Sequence, residues 1–297
     1  MSFLAIPRPR PRLPALQVDD RVLDLNRKVV VMGIVNVTPD SFSDGGSFYS
    51  PEDAVAHGIS LWEAGADILD VGGESTRPGA EPVDEDEELR RVIPVIEALA
   101  RETSAWISVD TYKSEVARKA AAAGAHIVND ISGLGFDPQM ASVVAETGRA
   151  LVLMHIRKTP KNMQQGITYE DLLEDLKSYF RERVRRATDA GIPRSRILLD
   201  PGIGFGKTVD QNYRLLRELS TFTSAGYPLL IGTSRKSFIG AVVDRPAPER
   251  VFGTAATVAC AVFAGANVVR VHDVEEMVDV VRVTEALCGI DPFDDDA

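Results

Sequence analysis

Along this chain, stretches in which apolar side chains recur every three or four residues alternate with short runs that are apolar at nearly every position. The first pattern predicts amphipathic helices and the second predicts strands buried on both faces. Six helical stretches stop at a small residue followed by glycine: Ala64-Gly65, Ala123-Gly124, Thr147-Gly148, Ala190-Gly191, Ala225-Gly226 and Ala264-Gly265. Glycine suits the left-handed position that closes a helix. An apolar run follows each stop, at 68–71, 127–128, 151–154, 197–199, 229–231 and 268–271, and runs at 29–35 and 107–109 bring the strands to eight. Between them, Leu172, Leu173, Leu176, Tyr179, Phe180 and Val184 fall at helical spacing, with Glu174, Asp175, Arg181 and Arg185 on the opposite side, as in a helix that coats a sheet.

Eight strands buried on both faces and each followed by a helix predict an α/β fold of the (β/α)8 TIM barrel type, which leaves no exposed sheet edge. A doubly wound open sheet is the alternative and would need a strand-order switch. Barrels of about 250 residues are routinely one domain, so the 297-residue chain reads as a single barrel over 21–290. Residues 1–20, rich in proline and arginine, read as a flexible tail, and 291–297 as an acidic one.

Barrels carry their chemistry at the C-terminal ends of the strands. There this chain has Asn36; Glu74 with Ser75 and Thr76; Asp110; Asn129 with Asp130; His155; Asp200; Ser234, Arg235, Lys236 and Ser237; and Arg270 with His272. A net charge of -11 offers no basic face to a nucleic acid. The longest weakly polar stretch, 255–269, is shorter than a membrane span and is broken by Gly265 and Asn267. Two cysteines, Cys260 and Cys288, are too few for a disulfide framework and read as buried, inert thiols. The N-terminus lacks the apolar core of a signal peptide, which fits a cytoplasmic protein.

Two polar loops, 36–46 and 72–80, are punctuated by proline and glycine and read as lids that close over a site. Asp110, Asn129, Asp200 and Lys236 combine groups that only accept, only donate, or do both, a set suited to the edges of a flat heterocycle. On spacing alone they could equally pair with one another inside the barrel mouth. The run Asp200-Pro201-Gly202-Ile203-Gly204-Phe205-Gly206-Lys207 superficially resembles a phosphate loop, but it lacks the four-residue spacer and the hydroxyl residue after lysine. The helix start at Ser237 suits an anion, and Arg270 and His272 leave the neighbouring strand. No Cys and His spacing suggests zinc, and no Ser, His, Asp order suggests a nucleophilic triad; His57 and His126 read as helix or core residues.

Taken together, Met32-Gly33-Ile34-Val35-Asn36-Val37-Thr38-Pro39-Asp40-Ser41-Phe42, Glu74-Ser75-Thr76-Arg77-Pro78-Gly79, Ser108-Val109-Asp110-Thr111, Asn129-Asp130, Asp200-Pro201-Gly202, Ser234-Arg235-Lys236-Ser237 and Arg270-Val271-His272 closely resemble the dihydropteroate synthases, pterin-binding enzymes of folate biosynthesis. The resemblance implies a transferase that joins 6-hydroxymethyl-7,8-dihydropterin pyrophosphate to p-aminobenzoate. It implies a pterin held by Asp110, Asn129, Asp200 and Lys236, with Ile131, Met154 and Phe205 as pocket walls. Pyrophosphate would lie on Asn36, Arg77, Arg270 and His272, with Mg2+ bound through Asn36, whose neutral amide oxygen suits a small, hard, hydrated cation. Phe42, Thr76, Pro78, Phe205, Lys236 and Ser237 would surround p-aminobenzoate, and its carboxylate would take the donors at Ser237 that the generic barrel rule offers to phosphate. The catalytic group would be Asp110, Lys236, Arg270 and His272, acting by charge on a reaction in which pyrophosphate leaves first.

The resemblance further implies inhibition by sulfonamides and a homodimer, for which the small-residue helix over 253–265 is one candidate seam, although it could pack on its own barrel instead. Ile156-Arg157-Lys158-Thr159 departs from the family's commonest pattern after His155. Two rival readings share the pterin pocket: a methyltetrahydrofolate-corrinoid methyltransferase-like enzyme, which would leave Arg77 and Arg270 without purpose, and a paralogue that binds pterin without turnover.

Overall fold

Closure of a single parallel sheet dominates the computed structural model, which describes residues 12–38 and 50–290. The barrel strands are β3 (Val30–Asn36), β4 (Ile68–Gly72), β5 (Trp106–Asp110), β6 (Ile127–Asp130), β7 (Ala150–Met154), β8 (Ile197–Asp200), β9 (Leu230–Ile231) and β10 (Val268–Val271). They pair in the order β8-β7-β6-β5-β4-β3-β10-β9, every ladder parallel, and a parallel bridge between Leu199 and Leu229 joins the two ends. The order is sequential with no switch, so the doubly wound alternative falls away. Alternating with the strands are α1 (Pro51–Glu63), α2 (Glu85–Glu102), α3 (Ser114–Ala123), α4 (Met140–Thr147), α5 (Leu172–Asp189), α6 (Val209–Arg217), α7 (Ser220–Thr223), α8 (Ser237–Val243), α9 (Val251–Phe263) and α10 (Val274–Leu287). The glycines of all six predicted helix stops have positive φ.

Period-two alternation sorts each strand between two cores. Val31, Val35, Leu69, Val71, Ile107, Val109, Val128, Leu151, Leu153 and Val269 pack outward with the helices. Their neighbours Val30, Met32, Ile68, Trp106, Ile127, Ala150, Val152, Leu198, Leu230 and Val268 fill the barrel interior. Both sets are apolar because a closed, helix-coated sheet leaves neither face to water. Continuing the inward register toward the strand ends, the side chains turn polar: Asp70 after Ile68, Ser108 and Asp110 after Trp106, Asn129 after Ile127, Asp200 after Leu198 and Arg270 after Val268.

The expectation of a flexible tail over 1–20 needs correction. Residues 1–11 lie outside the described residues, but β1 (Leu16–Val18) and β2 (Arg21–Leu23) form an antiparallel hairpin. Leu16, Val18 and Leu25 join the interior cluster and close the barrel floor, which would otherwise expose that apolar layer to water. Arg21 donates to the Ala105 carbonyl at 2.9 Å and lies over the Trp106 ring, and Arg196 donates to the Gln17 carbonyl at 2.8 Å. Two three-residue runs beside a proline-rich segment carry too little periodicity to announce this hairpin. The cysteine expectation also changes: Cys260 is exposed and Cys288 half-buried. Cys260 sits on the outer face of α9, where a thiol's apolar character does not force it inward. Among the described residues no helix is long and apolar enough to cross a membrane.

Leu16→Ala should cost about 2–5 kcal/mol by emptying a fully buried site in the floor. Urea unfolding measures this, and a loss below about 0.5 kcal/mol would mean that the hairpin is not part of the core.

Candidate active site

At the barrel mouth the inward polar residues meet around one guanidinium. Arg270, on β10, donates from Nε to Asp70 at 2.6 Å and from Nη2 to Asp110 at 2.8 Å. These bonds leave Nη1, with two further N–H donors, outside them. Asp70 also accepts from Asn129 Nδ2 at 3.0 Å, so three strands and Arg270 form one connected cluster. Asp70 is fully buried and Asp110 nearly so. Burial pushes the Asp110 carboxyl above the usual carboxylate range, and the neighbouring Asp70 adds to this, while Arg270 opposes it.

Across the mouth, Asp200 ends β8, and its Oδ1 accepts from the Gly202 amide at 2.7 Å, which leaves Oδ2 outside that bond. The charge that most offsets the upward push of burial on the Asp200 carboxyl is that of Lys236. Burial takes Lys236 down to about 8, with Asp200 and Asp110 acting in the other direction. Lys236 Nζ donates to the Ile203 carbonyl and lies 4.5 Å from the centre of the Phe205 ring. Below it Ile131, Met154, Ile156 and Met163 form a separate apolar cluster, against which Tyr112 and Phe205 pack. The predicted walls Ile131, Met154 and Phe205 are therefore together, and Asp110, Asn129, Asp200 and Lys236 share one mouth through strand register and mutual electrostatics. A slot with apolar walls and mixed donors and acceptors on its rim suits a flat, nitrogen-rich ring.

His272 lies two residues after Arg270 and is half-buried. Its backbone N–H donates to Ser234 Oγ at 3.1 Å, and that oxygen lies 2.9 Å from His272 Nδ1. A hydroxyl that accepts the first contact is able to donate its proton in the second, and in that tautomer Nδ1 is the acceptor and Nε2 carries the ring hydrogen. Burial, together with Arg270, Arg235 and Arg77, pushes the imidazole down to about 3, so it is a neutral N–H donor. Arg235 is committed elsewhere, with Nε bonded to Asp273 at 3.1 Å and Nη2 to the same carboxylate.

The 72–83 loop is anchored from beneath. Glu74 accepts from Lys113 at 2.6 Å and from the Val83 amide at 3.0 Å, and Lys113 also donates to the buried Glu88. On that loop Thr76 is half-buried, while Arg77 and Pro78 are exposed. Pro78 and Ser237 line one cleft of about 320 Å³ together with Gln164, Gly204 and Thr208. Asn36 ends β3, paired in register with Gly72, which is itself paired with Asp110. Phe42 lies outside the described residues. The divergent segment after His155 is well tied down: Ile156 joins the apolar cluster, and Arg157 bonds Asp175 at 2.7 Å and stacks 3.9 Å above Tyr169.

Sequence reasoning missed three participants. Asp70 looked like a single polar interruption of an apolar run, yet its inward parity with Asp110 was a usable signal. Glu88 sits within α2 and Lys113 just before α3, and neither belongs to a motif of its own. His155, a strand end taken for the mouth, instead faces Lys207 at 3.0 Å.

With this geometry in view, comparison with known proteins is decisive. The family described as pterin binding enzyme matches residues 32–272. The chain belongs to that family, among its dihydropteroate synthases. The dihydropteroate synthase of Synechocystis is 49% identical over 275 residues, covering 92% of this chain and 95% of its own length. The crystal structure of the Yersinia pestis dihydropteroate synthase in complex with a sulfonamide drug superposes with a TM-score of 0.89 at 45% identity, covering 93% of this chain and 99% of that one. The Xanthomonas albilineans enzyme with 4-aminobenzoic acid gives 0.86 at 47% identity, covering 93% and 98%. Relatives with this name are transferases, and the chain is an enzyme of that class.

Because the neighbouring charge of Asp70 raises the Asp110 carboxyl, Asp70→Asn should lower the Asp110 titration midpoint by about one pH unit. Carboxyl carbon NMR of aspartate-labelled protein, with Asp110→Asn to assign the signal, measures this; an unmoved midpoint would uncouple the two carboxylates.

Proposed function

We propose that this mouth binds 6-hydroxymethyl-7,8-dihydropterin pyrophosphate and joins its methylene carbon to the amine of p-aminobenzoate, giving 7,8-dihydropteroate and pyrophosphate in folate biosynthesis. The observation that carries the reading is the convergence of Asp110, Asn129, Asp200 and Lys236 on one apolar slot, with Arg270 and His272 directly beside it. Relatives named dihydropteroate synthase, and related structures holding a sulfonamide drug and 4-aminobenzoic acid, support the same substrates.

In this reading the free oxygen of Asp200 accepts from the amino and N3 edge of the pterin, and Lys236 donates toward O4 and N5. The bond between the methylene carbon and the bridging oxygen breaks first, and the electron pair leaves with pyrophosphate. Arg270 Nη1, Arg77 and the Nε2–H of His272 receive that anion, while Asp110 faces the positive charge left on the ring. At about 4 Å and an effective dielectric near 20, one such opposite charge is worth roughly 4 kcal/mol, or on the order of a thousandfold in rate. The amine then forms the carbon–nitrogen bond and releases its proton to solvent. Anilines are weakly basic, so no dedicated base is required. Thr76, Pro78, Phe205, Lys236 and Ser237, with Phe42 from the first loop, surround p-aminobenzoate, and the cleft beside Pro78 and Ser237 supports this.

The donor set fits Mg2+ only as a cation carried by diphosphate. Among the described residues no group of three metal-ligating side chains exists, and Asn36 offers one neutral amide oxygen. When bound there, Mg2+ would supply further neutralisation of the departing anion. The exposed side chains Phe252 and Phe263 on α9 support a homodimer seam.

Mixing the protein with the pterin pyrophosphate and p-aminobenzoate should release pyrophosphate and yield dihydropteroate, with sulfonamides competing against p-aminobenzoate. No pyrophosphate release would refute the reading in favour of either rival. Asp110→Asn should cut kcat by about two to three orders of magnitude with much less effect on pterin affinity, as loss of transition-state stabilisation does. Equal losses in both would overturn its assigned role. Asn36→Ala should raise the Mg2+ concentration needed for half-maximal rate, and an unchanged requirement would remove Asn36 as a ligand.

A further inference from the structure

Lys207 is a buried lysine that the reaction described above does not use. Its side chain is 2% exposed, and no carboxylate of the described residues hydrogen-bonds it. Instead Nζ points at the Gly202 carbonyl at 2.9 Å, the Phe205 carbonyl at 3.0 Å and His155 Nδ1 at 3.0 Å, with the His155 carbonyl more distant at 3.4 Å. Two carbonyls and, in the tautomer whose Nδ1 is unprotonated, the His155 ring match the three N–H bonds of an ammonium. Burial pushes Lys207 well below the usual lysine range, and Asp200 pulls it back. Burial likewise holds His155 in its neutral form, as an Nδ1 acceptor requires.

An isolated ammonium in a dry interior is costly unless its surroundings are organised around it. Here they are. Gly202, Gly204 and Gly206 have φ of +67°, +86° and +63°, so the loop from β8 to α6 curls around Nζ as a chain curls around a bound monovalent cation. At Gly202 the fit leaves no room, since a Cβ would lie 2.0 Å from the His155 carbonyl oxygen. Lys207 thus bolts this loop to the end of β7. The loop in turn carries the Gly202 amide that holds Asp200, the Ile203 carbonyl that receives Lys236, and the Phe205 ring beneath Lys236.

We propose that Lys207 is a positioning residue, a tethered cation whose ammonium orders the 201–207 loop so that Phe205 and the Ile203 carbonyl meet Lys236 at the mouth. The consequence for catalysis rests on the reading of that mouth as the substrate site; the ordering of the loop does not. Lys207→Met keeps the stem and removes the ammonium. In that variant the amides of Gly204 and Phe205, bonded to Asn212 Oδ1 at 2.6 Å and to the Gly202 carbonyl at 3.0 Å, should exchange with solvent about 100-fold faster, while amides of β5 and β6 change less than about threefold. The KM for p-aminobenzoate should rise and pterin affinity should fall, each about tenfold or more, because the loop carries Phe205 and supports Asp200 and Lys236, which the reading gives to both substrates. Unchanged loop exchange, or amides of β5 and β6 losing protection as much as those of the loop, would overturn the proposal. If Lys207→Met does not fold, Lys207→Ala titrated with ethylammonium chloride decides: saturable recovery of loop protection supports the tethered cation, and no recovery overturns it. The exchange measurement needs no turnover, so an inactive wild-type protein would refute the functional reading and leave the role of Lys207 separately decided.

Discussion

Arg270, gripped by Asp70 and Asp110, is the contact on which the mouth depends. A closed, helix-coated barrel excludes water from its axis, so any charge on an inward strand position must be answered by another inward charge. Two carboxylates share one guanidinium here, and the set carries a net negative charge. This pairing only partly offsets the burial that, with the second carboxylate adding to it, pushes Asp110 above the usual carboxylate range. It also fixes the orientation of Arg270, whose third nitrogen remains outside both bonds.

The same constraint explains the vertical order of the interior. The lower layer is apolar and is sealed by the hairpin residues Leu16 and Val18. The upper layer is polar because strand ends border solvent and a ligand can complete what the protein leaves open. Around this layer the supports are themselves charge networks: Glu74 and Glu88 on Lys113 beneath one loop, and carbonyls with His155 on Lys207 beneath another. Loops near the chemistry are thus held by buried ions rather than by regular structure, which fits segments that close around a ligand without the rigidity of a ladder. His272 shows the complementary case. Desolvated and crowded by Arg270, Arg235 and Arg77, it is neutral, so what it can offer an anion is a hydrogen bond rather than a charge.

How much of this was legible in the residues alone depended on whether the signal was local. Eight apolar runs and six glycine stops identified the barrel, because burial on both faces and left-handed helix closure are properties of short segments. Asp110, Asn129, Asp200, Lys236 and Arg270 stood out because strand ends are where a barrel turns polar. Motif resemblance then supplied the substrates, which neither periodicity nor charge could name.

What only the tertiary structure decided were relations between distant residues. Asp70 and Arg270 are 200 positions apart, and their pairing follows from the register of three strands, each step of which a one-residue slip would reverse. Lys207 looked like a failed phosphate loop until the chain was seen to curl around its ammonium. The hairpin at 16–23 was hidden because three-residue strands carry no period of their own and become ordered only against a floor built by other strands. Local conformational preference is written along the chain, but satisfaction of buried charge is a property of the closed cylinder, and only closure brings the partners together.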